Sequence, residues 1–348
     1  MSISIFFYLS SGLFLGWALG ANQLGNIYGT AIGTKMVSYR TASALTAIFL
    51  VLGAVFSGSG AAQAVSGLGD VPTLAGAWTL ALAVALTLFV MTRAGIPVSS
   101  TQAVIGSFIG WNLFKGLPMP LKELSHIFMA WILSPLLTCL CAFLLLRGFK
   151  ILLKKKPIPL AYMDAYIRFG LIVAGIFAAY MVGANNIANV MGTFLSANPF
   201  KGFSFYGLFR ISGQEQLFFI GSAAMAVGVL TYSKKVVQTI GEDLLKMTSL
   251  EAFVVILSQG VILFFFTSVS LRNFLLAWHL PAFPLAPISN SEAIIGGILG
   301  VSLAKGGRGL KFLTFFKVMG AWLFSPLMAM VICFVTLFFV QNVFRLML

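Results

Sequence analysis

The stretch Gly20-Ala-Asn-Gln-Leu-Gly-Asn-Ile-Tyr-Gly-Thr30 recurs as Gly183-Ala-Asn-Asn-Ile-Ala-Asn-Val-Met-Gly-Thr193, with six of eleven positions identical. Both copies interrupt long apolar sequence with glycines and amide side chains. In hydrocarbon every backbone amide needs a partner, so such sequence survives at membrane depth only where it lines a cavity or packs within protein. A duplicated interruption of this kind marks a binding site built where two repeats meet.

Composition fixes the setting. Hydrophobic residues are 59% of the 348 and charged residues 9%, with a mean hydropathy of +1.01. A soluble domain covers itself with roughly 25% charged residues, so this chain has no soluble surface to present. The apolar runs 42–65, 77–91, 126–146, 166–182, 252–271 and 318–340 mostly approach or exceed the roughly 20 residues a spanning helix needs. None alternates as a β-barrel strand does. The expectation is an all-α integral membrane protein, multi-pass in a cell membrane, with the bacterial inner membrane as its setting and the lipid bilayer as its partner.

The net charge of +14 does not imply nucleic acid. The 22 basic residues sit mainly between apolar runs rather than along one amphipathic face, as orienting loop charge does. Cys139, Cys141 and Cys333 lie inside apolar runs and suggest neither metal spacing nor disulfide pairing. No nucleophile–base set, metal cluster or phosphate loop is present, so no enzyme and no resident cofactor is expected beyond a candidate sodium ion.

The duplication extends along the chain in three further collinear pairs. Pro97-Val-Ser-Ser-Thr-Gln102 answers Pro287-Ile-Ser-Asn-Ser-Glu292, the segments 103–116 and 293–306 follow them, and Ala130-Trp-Ile-Leu-Ser-Pro-Leu136 answers Ala321-Trp-Leu-Phe-Ser-Pro-Leu327. This divides the chain into a first transmembrane repeat 1–147, a basic cytoplasmic linker 148–165 and a second repeat 166–348. The junction carries Lys150 and Lys154-Lys155-Lys156, and the loop with Lys305, Arg308, Lys311 and Lys317 is also dense in positive charge, whereas its counterpart 115–123 is less so. Opposite faces for these counterparts make the repeats inverted. Each half then needs an odd number of net crossings, with the Ser/Thr segments as re-entrant hairpins and the Gly20 and Gly183 segments as broken helices that enter and return. That arrangement leaves Lys35 and Arg40 on the less basic face, against the rule.

The Pro-x-Ser element has a specific reading. Proline suits a helix start, serine suits the cap, and the free amides of a first turn with the positive dipole end attract an anion. Ser99, Ser100, Thr101 and Gln102 in one half, and Ser289, Asn290, Ser291 and Glu292 in the other, are the candidate substrate-binding residues. Two such starts meeting near the bilayer midplane replace the hydration of a tetrahedral oxyanion; the bland alternative is ordinary caps and interhelical hydrogen bonds. Asn22 and Asn26, like Asn185 and Asn189, stand at i and i+4 and face one way on a helix. Their oxygens at an unwound turn suit sodium, and the alternative is asparagine as glue between helices.

These motifs resemble those of the inorganic phosphate transporter (PiT) family of secondary transporters, which carries Gly-Ala-Asn-Asp-Val-Ala-Asn twice and Pro-Val-Ser-Thr-Thr-His twice. The resemblance covers nearly the whole chain, including Ser233-Lys-Lys-Val-Val-Gln-Thr-Ile-Gly-Glu-Asp243. It implies an inverted-repeat fold with two re-entrant hairpins, phosphate bound by the hairpin Ser and Thr residues, and coupling cations near Asn22, Gln23, Asn26, Asn185, Asn186 and Asn189. The implied function is a permease moving inorganic phosphate by symport with a proton or sodium. Two alternatives stand beside it: a sulfate permease of the same fold, and a non-transporting membrane sensor or assembly subunit. Association into a homo-oligomer is left open.

The chain departs from that pattern. Gln23 and Asn186 stand where the family has Asp, and Gln102 and Glu292 stand where it has His. The loss of both carboxylates weakens a sodium site, and Glu292 becomes the candidate proton-coupling or substrate-reading group. Hydrogen phosphate carries a hydroxyl that wants an acceptor and sulfate carries none, so an acceptor near the anion favours phosphate. His126 and His279 sit at segment edges without an expected transport role. Glu215 and Glu251 sit near helix starts, where a carboxylate complements the dipole.

Overall fold

A computed structural model describes residues 3–66, 68–155, 159–205, 209–307 and 310–345. Lys156 and Arg308 of the basic loops lie outside the described residues. The first half runs α1 (Ile3–Gly33), α2 (Tyr39–Ser57), α3 (Ser59–Ser66), α4 (Leu74–Arg93), α5 (Ser100–Lys115) and α6 (Leu121–Lys155). The second half opens with α7 (Leu160–Met191) and an antiparallel pair, β1 (Phe203–Phe205) and β2 (Phe209–Ile211). It continues through α8 (Gly213–Tyr232), α9 (Lys234–Gln238), α10 (Ser249–Thr267), α11 (Val269–Ala277), α12 (Asn290–Ala304) and α13 (Phe312–Asn342). Because α6 continues to Lys155 and α7 begins at Leu160, most of the expected linker 148–165 is helix.

Several starts follow from local chemistry. Ser38 and Thr73 accept the amides of Thr41 and Gly76, capping α2 and α4. Glu215 and Glu251 each sit three residues past a capping Ser212 or Thr248 and close reciprocal capping boxes, as their positions near helix starts suggest.

Among the described residues, eight helices are long and apolar enough to cross a membrane: α1, α2, α4, α6, α7, α8, α10 and α13. Their contacts show the path of the chain. The two motif helices run antiparallel, since the Tyr28 hydroxyl donates to the Ile172 carbonyl at 3.0 Å while Gly12 lies against Phe194 at the opposite end. α8 follows α1 in the same direction, with Trp17 Nε1 donating to Thr231 Oγ1 at 3.0 Å and the chain beyond α8 continuing along Gly25 and Gly29. α2 and α3 follow α7 likewise, with Gly58 against Ile187 and Val65 against Gly192.

α4 starts beside Phe7, where Trp78 stacks with ring centroids 5.7 Å apart, and ends beside Asn22. α5 then turns back, its Trp111 packing on Gly76. In the second half α10 starts near Gly170 through Phe253, and α12 returns until Lys305 meets Glu251 at 3.2 Å. Each half therefore makes three net crossings, α1, α2 and α6 or α7, α8 and α13, and adds one re-entrant hairpin, α4–α5 or α10–α12. The hairpins enter from opposite faces.

Two expectations change. The Gly20 and Gly183 segments are not broken, because α1 runs through the whole first motif and α7 continues through the second as far as Met191, where the 3-10 turn Gly192–Phe194 takes over. Glycine is needed there for close approach. A Cβ on Gly20 would lie 2.6 Å from the Met225 carbonyl carbon, and one on Gly183 would lie 2.8 Å from that of Leu50. The partner helices reciprocate, with Gly228 against Trp17 and Gly53 against Tyr180. The second change follows from the first. Since α1 crosses outright, exposed Lys35 and Arg40 fall on the more basic face, joined to it by the Tyr39 hydroxyl at 2.8 Å from Ser233 Oγ and by the Lys311 amide on the Leu244 carbonyl at 3.0 Å. The charge rule is no longer violated.

The same small-residue logic locks the hairpins into the opposite repeat. Gly106 of α5 sits on the backbone of Pro326 in α13, and Gly296 of α12 sits on that of Pro135 in α6. A proline does not donate an amide, and the neighbouring backbone is open to close packing. The halves thus interlock rather than lie side by side.

Candidate functional site

The site is assembled where the two hairpin tips meet between α1 and α7. Ser99 caps α5 by accepting the Gln102 amide at 3.3 Å, and Ser289 caps α12 by accepting that of Glu292 at 3.3 Å. The residues just inside each cap reach across. Ser291 Oγ donates to the Val98 carbonyl at 2.6 Å, and Thr101 Oγ1 donates to the Ile288 carbonyl at 3.4 Å. Gln102 Nε2 donates to Glu292 Oε1. Each tip therefore completes the other.

The motif asparagines hold the tips in place. Asn22 accepts the Val98 amide at 3.4 Å and donates to Thr92 Oγ1 at 3.1 Å and to the Ile96 carbonyl at 3.3 Å. Its counterpart Asn185 accepts the Ile288 amide at 3.0 Å and donates to the Ile288 carbonyl at 2.8 Å and to Asn290 Oδ1 at 3.3 Å. Asn26 Nδ2 lies 3.4 Å from Ser291 Oγ, and Asn189 Nδ2 lies 3.1 Å from Ser100 Oγ and 3.2 Å from Thr101 Oγ1. Gln23 Oε1 accepts from Asn290 Nδ2 at 3.3 Å, and Asn186 Oδ1 accepts from Asn185 Nδ2 at 3.2 Å. All fourteen predicted site residues thus gather at one place, as Ser99, Ser100, Thr101, Gln102, Ser289, Asn290, Ser291 and Glu292 on the tips and Asn22, Gln23, Asn26, Asn185, Asn186 and Asn189 on the posts. All are buried, Gln102 being the most exposed at 8%.

The asparagine oxygens come from helical side chains, not from the unwound turn anticipated for them. Continuous helices project Asn22 and Asn26 on one face, where Asn26 Nδ2 is 3.4 Å from Asn22 Oδ1. His126 and His279 are both exposed and play no part in the network.

Several buried oxygens here have no hydrogen-bond partner: Asn26 Oδ1, Asn189 Oδ1, Thr30 Oγ1, Thr193 Oγ1, Gln102 Oε1, Gln259 Oε1 and Glu292 Oε2. Buried polar atoms are nearly always satisfied, so a water, an ion or a substrate group is the partner such oxygens take. Asn26 and Thr30 lie four residues apart on α1, and their counterparts in the second repeat are Asn189 on α7 and Thr193 in the 3-10 turn Gly192–Phe194 that follows it. Neutral hard oxygens of this kind fit sodium. Thr92, Thr30, Thr193 and Gln259 were missed by sequence reasoning. Thr30 and Thr193 close the repeated motif and were visible there; Thr92 and Gln259, whose Nε2 is 3.4 Å from the Asn290 carbonyl, were signalled only as polar residues within apolar helices.

Two helix starts that meet in a buried, hydroxyl-lined centre define the class: a multi-pass membrane protein with paired re-entrant hairpins. Residues 19–272 and 275–347 match the phosphate transporter family, and the chain belongs to that family. A protein of Methanocaldococcus jannaschii provisionally named a phosphate permease is 25% identical over 335 residues, covering 96% of this chain and 97% of that one. The sulfate permease CysP of Bacillus subtilis is 26% identical over 332 residues, covering 92% of this chain and 84% of its own. A solved structure titled as the sodium-dependent phosphate transporter shares the fold, with a TM-score of 0.77, 19% identity and 99% of each chain covered.

Proposed function

We propose that this chain carries inorganic phosphate across the membrane as a cation symporter, with the anion held between the α5 and α12 starts. The observation that carries the reading is the reciprocal crossing of Ser291 to Val98 and Thr101 to Ile288, which sets two dipole ends and their hydroxyls around one point. The amides of the first two residues of each helix, ahead of the capped Gln102 and Glu292, have no intrahelical acceptor and can bind oxygen. Phosphate entering this point takes over the hydroxyl donors of Ser291 and Thr101, releasing the tips from each other. Ser100 and Asn290 add further donors. Exchange of tip-to-tip bonds for tip-to-anion bonds is a differential contact of the kind a ligand needs to bias two states.

Sodium is the coupling ion this reading favours. The pairs Asn26–Thr30 and Asn189–Thr193 supply unpaired oxygens next to Ser291 and Thr101, so a cation there would neutralise part of the anion charge and fix the hydroxyls. Gln23 and Asn186 contribute amide oxygens without formal charge, which keeps sodium affinity modest. A proton on Glu292 is the second coupling reading, favoured by its burial at 3% exposure without a cationic partner in the network. The basic face bearing Lys35, Lys154, Lys305 and Lys311 is assigned to the cytoplasm.

Sulfate is the competing substrate, favoured by the absence of carboxylates at Gln23 and Asn186 and by the name of the Bacillus relative. Proteoliposomes decide among these readings. Labelled phosphate accumulation that rises with an imposed sodium gradient, and resists excess sulfate, supports the proposal. Uptake driven only by a proton gradient moves the coupling to Glu292, and preferential sulfate uptake overturns the substrate. Absence of flux with Cys substitutions at Ser100 and Ser291 still protected by phosphate would point to a sensor.

A further inference from the structure

The reading of α5 and α12 as a phosphate site leaves the role of Glu292 open, and its geometry separates it from the other glutamates at helix starts. Glu215 and Glu251 occupy the third position of their helices and fold back onto the capping residue. Glu292 occupies the same position of α12, behind the cap Ser289, and closes no such box. One of its oxygens takes the amide of Gln102 from the opposite hairpin. The other, Oε2, is buried without a hydrogen-bond partner, as is Oε1 of Gln102 beside it. The side chain has given up its local bond, reaches across to the opposite hairpin, and keeps a second buried acceptor without a partner.

We infer that Glu292 Oε2 accepts the hydroxyl proton of the bound anion, so that the site selects hydrogen phosphate over tetrahedral oxyanions that carry no proton. The inference rests on the phosphate reading above. All other side chains of the network, from α1, α5, α7 and α10 as well as α12, are amides or hydroxyls, so no other group offers an ionic acceptor. A P–OH group forms a charge-assisted hydrogen bond with the carboxylate, and the shared proton offsets repulsion between two anions. Sulfate brings two bare charges toward Glu292 and meets an acceptor with nothing to donate. A site built around one substrate hydroxyl rejects the analogue lacking it because its buried polar group stays unpaired. Gln102 acts as a positioning residue, holding the carboxylate across the hairpin interface.

The test is competition against labelled phosphate on the purified, full-length protein, with sulfate, arsenate and monofluorophosphate as competitors. Monofluorophosphate keeps phosphorus, tetrahedral shape and the dianionic charge but has no hydroxyl near neutral pH, so it probes the proton without any mutation. Arsenate is expected to compete nearly as well as phosphate, and sulfate and monofluorophosphate about 10- to 100-fold less well, the worth of one hydrogen bond to a charged group. In Glu292→Gln that spread is expected to collapse, through weaker phosphate binding and unchanged or tighter sulfate binding. Gln102→Ala, which keeps the carboxylate but removes the amide that positions it, should narrow the spread less than Glu292→Gln does. Equal competition by monofluorophosphate and phosphate, or an unaltered phosphate-to-sulfate ratio in a folded Glu292→Gln protein, overturns the inference while leaving the phosphate site standing. Failure of every anion to bind the wild-type protein overturns both.

Discussion

Replacing Gly20 with Ala tests whether the repeated motif serves packing or helix breaking. The added methyl would lie 2.6 Å from the carbonyl carbon of Met225 and 2.8 Å from its Cα, inside the 3.0 Å limit that real Cβ atoms respect. Backbone cannot rotate away and the Met225 carbonyl oxygen lies closer still, so α1 and α8 must part by about an ångström, and the reciprocal seat of Gly228 on Trp17 opens with them. Overpacking of this kind costs about 1–3 kcal/mol, and a contact with backbone falls toward the upper end. Alanine returns about 1 kcal/mol of helix propensity, leaving a net loss of about 2 kcal/mol. Gly148 and Gly320, in α6 and α13, are exposed helical glycines with nothing within 4 Å of a new methyl. There the same change keeps only the propensity gain of about 1 kcal/mol. Thermal melting of the purified variants in one detergent therefore has opposite signs: Gly20→Ala and Gly183→Ala lower the midpoint by several degrees, and Gly148→Ala and Gly320→Ala hold or raise it. A Gly20→Ala protein as stable as wild type would refute the packing argument and reopen the broken-helix reading.

Three further outcomes follow from the site and the path of the chain. Ser291→Ala and Thr101→Ala each remove a hydroxyl from both the tip contact and the anion, and labelled phosphate affinity is expected to fall about tenfold for each, with Ser291, the closer donor at 2.6 Å, the more sensitive. Gln23→Asp or Asn186→Asp adds a carboxylate beside the neutral oxygen pairs and should lower the sodium concentration for half-maximal uptake about tenfold; unchanged sodium dependence would remove the cation from this location. In a background without native cysteines, single cysteines at Lys35 and Lys305 should react with an impermeant maleimide from the cytoplasmic side and those at Lys122 and Lys201 from the other, and labelling of Lys35→Cys from the outside would break the crossing count.

The membrane setting, the duplication and fourteen residues of the site are legible in the sequence, because these depend on composition and on which polar residues tolerate apolar surroundings. Pro97-Val-Ser-Ser and Pro287-Ile-Ser-Asn could be recognised as helix starts because capping is local, acting within three residues of the cap. The tertiary structure decided what distance in sequence conceals. Glycine's freedom to bend and its small size are indistinguishable in a string of letters, and only the backbone of Met225 against Gly20 showed that size was the property in use. The same fact turned a presumed entry-and-return into a crossing and put Lys35 with the other lysines. Likewise, nothing near Glu292 in the chain foretells Gln102, 190 residues earlier. Their meeting depends on two hairpins entering from opposite faces, a relation set by the packing of whole helices.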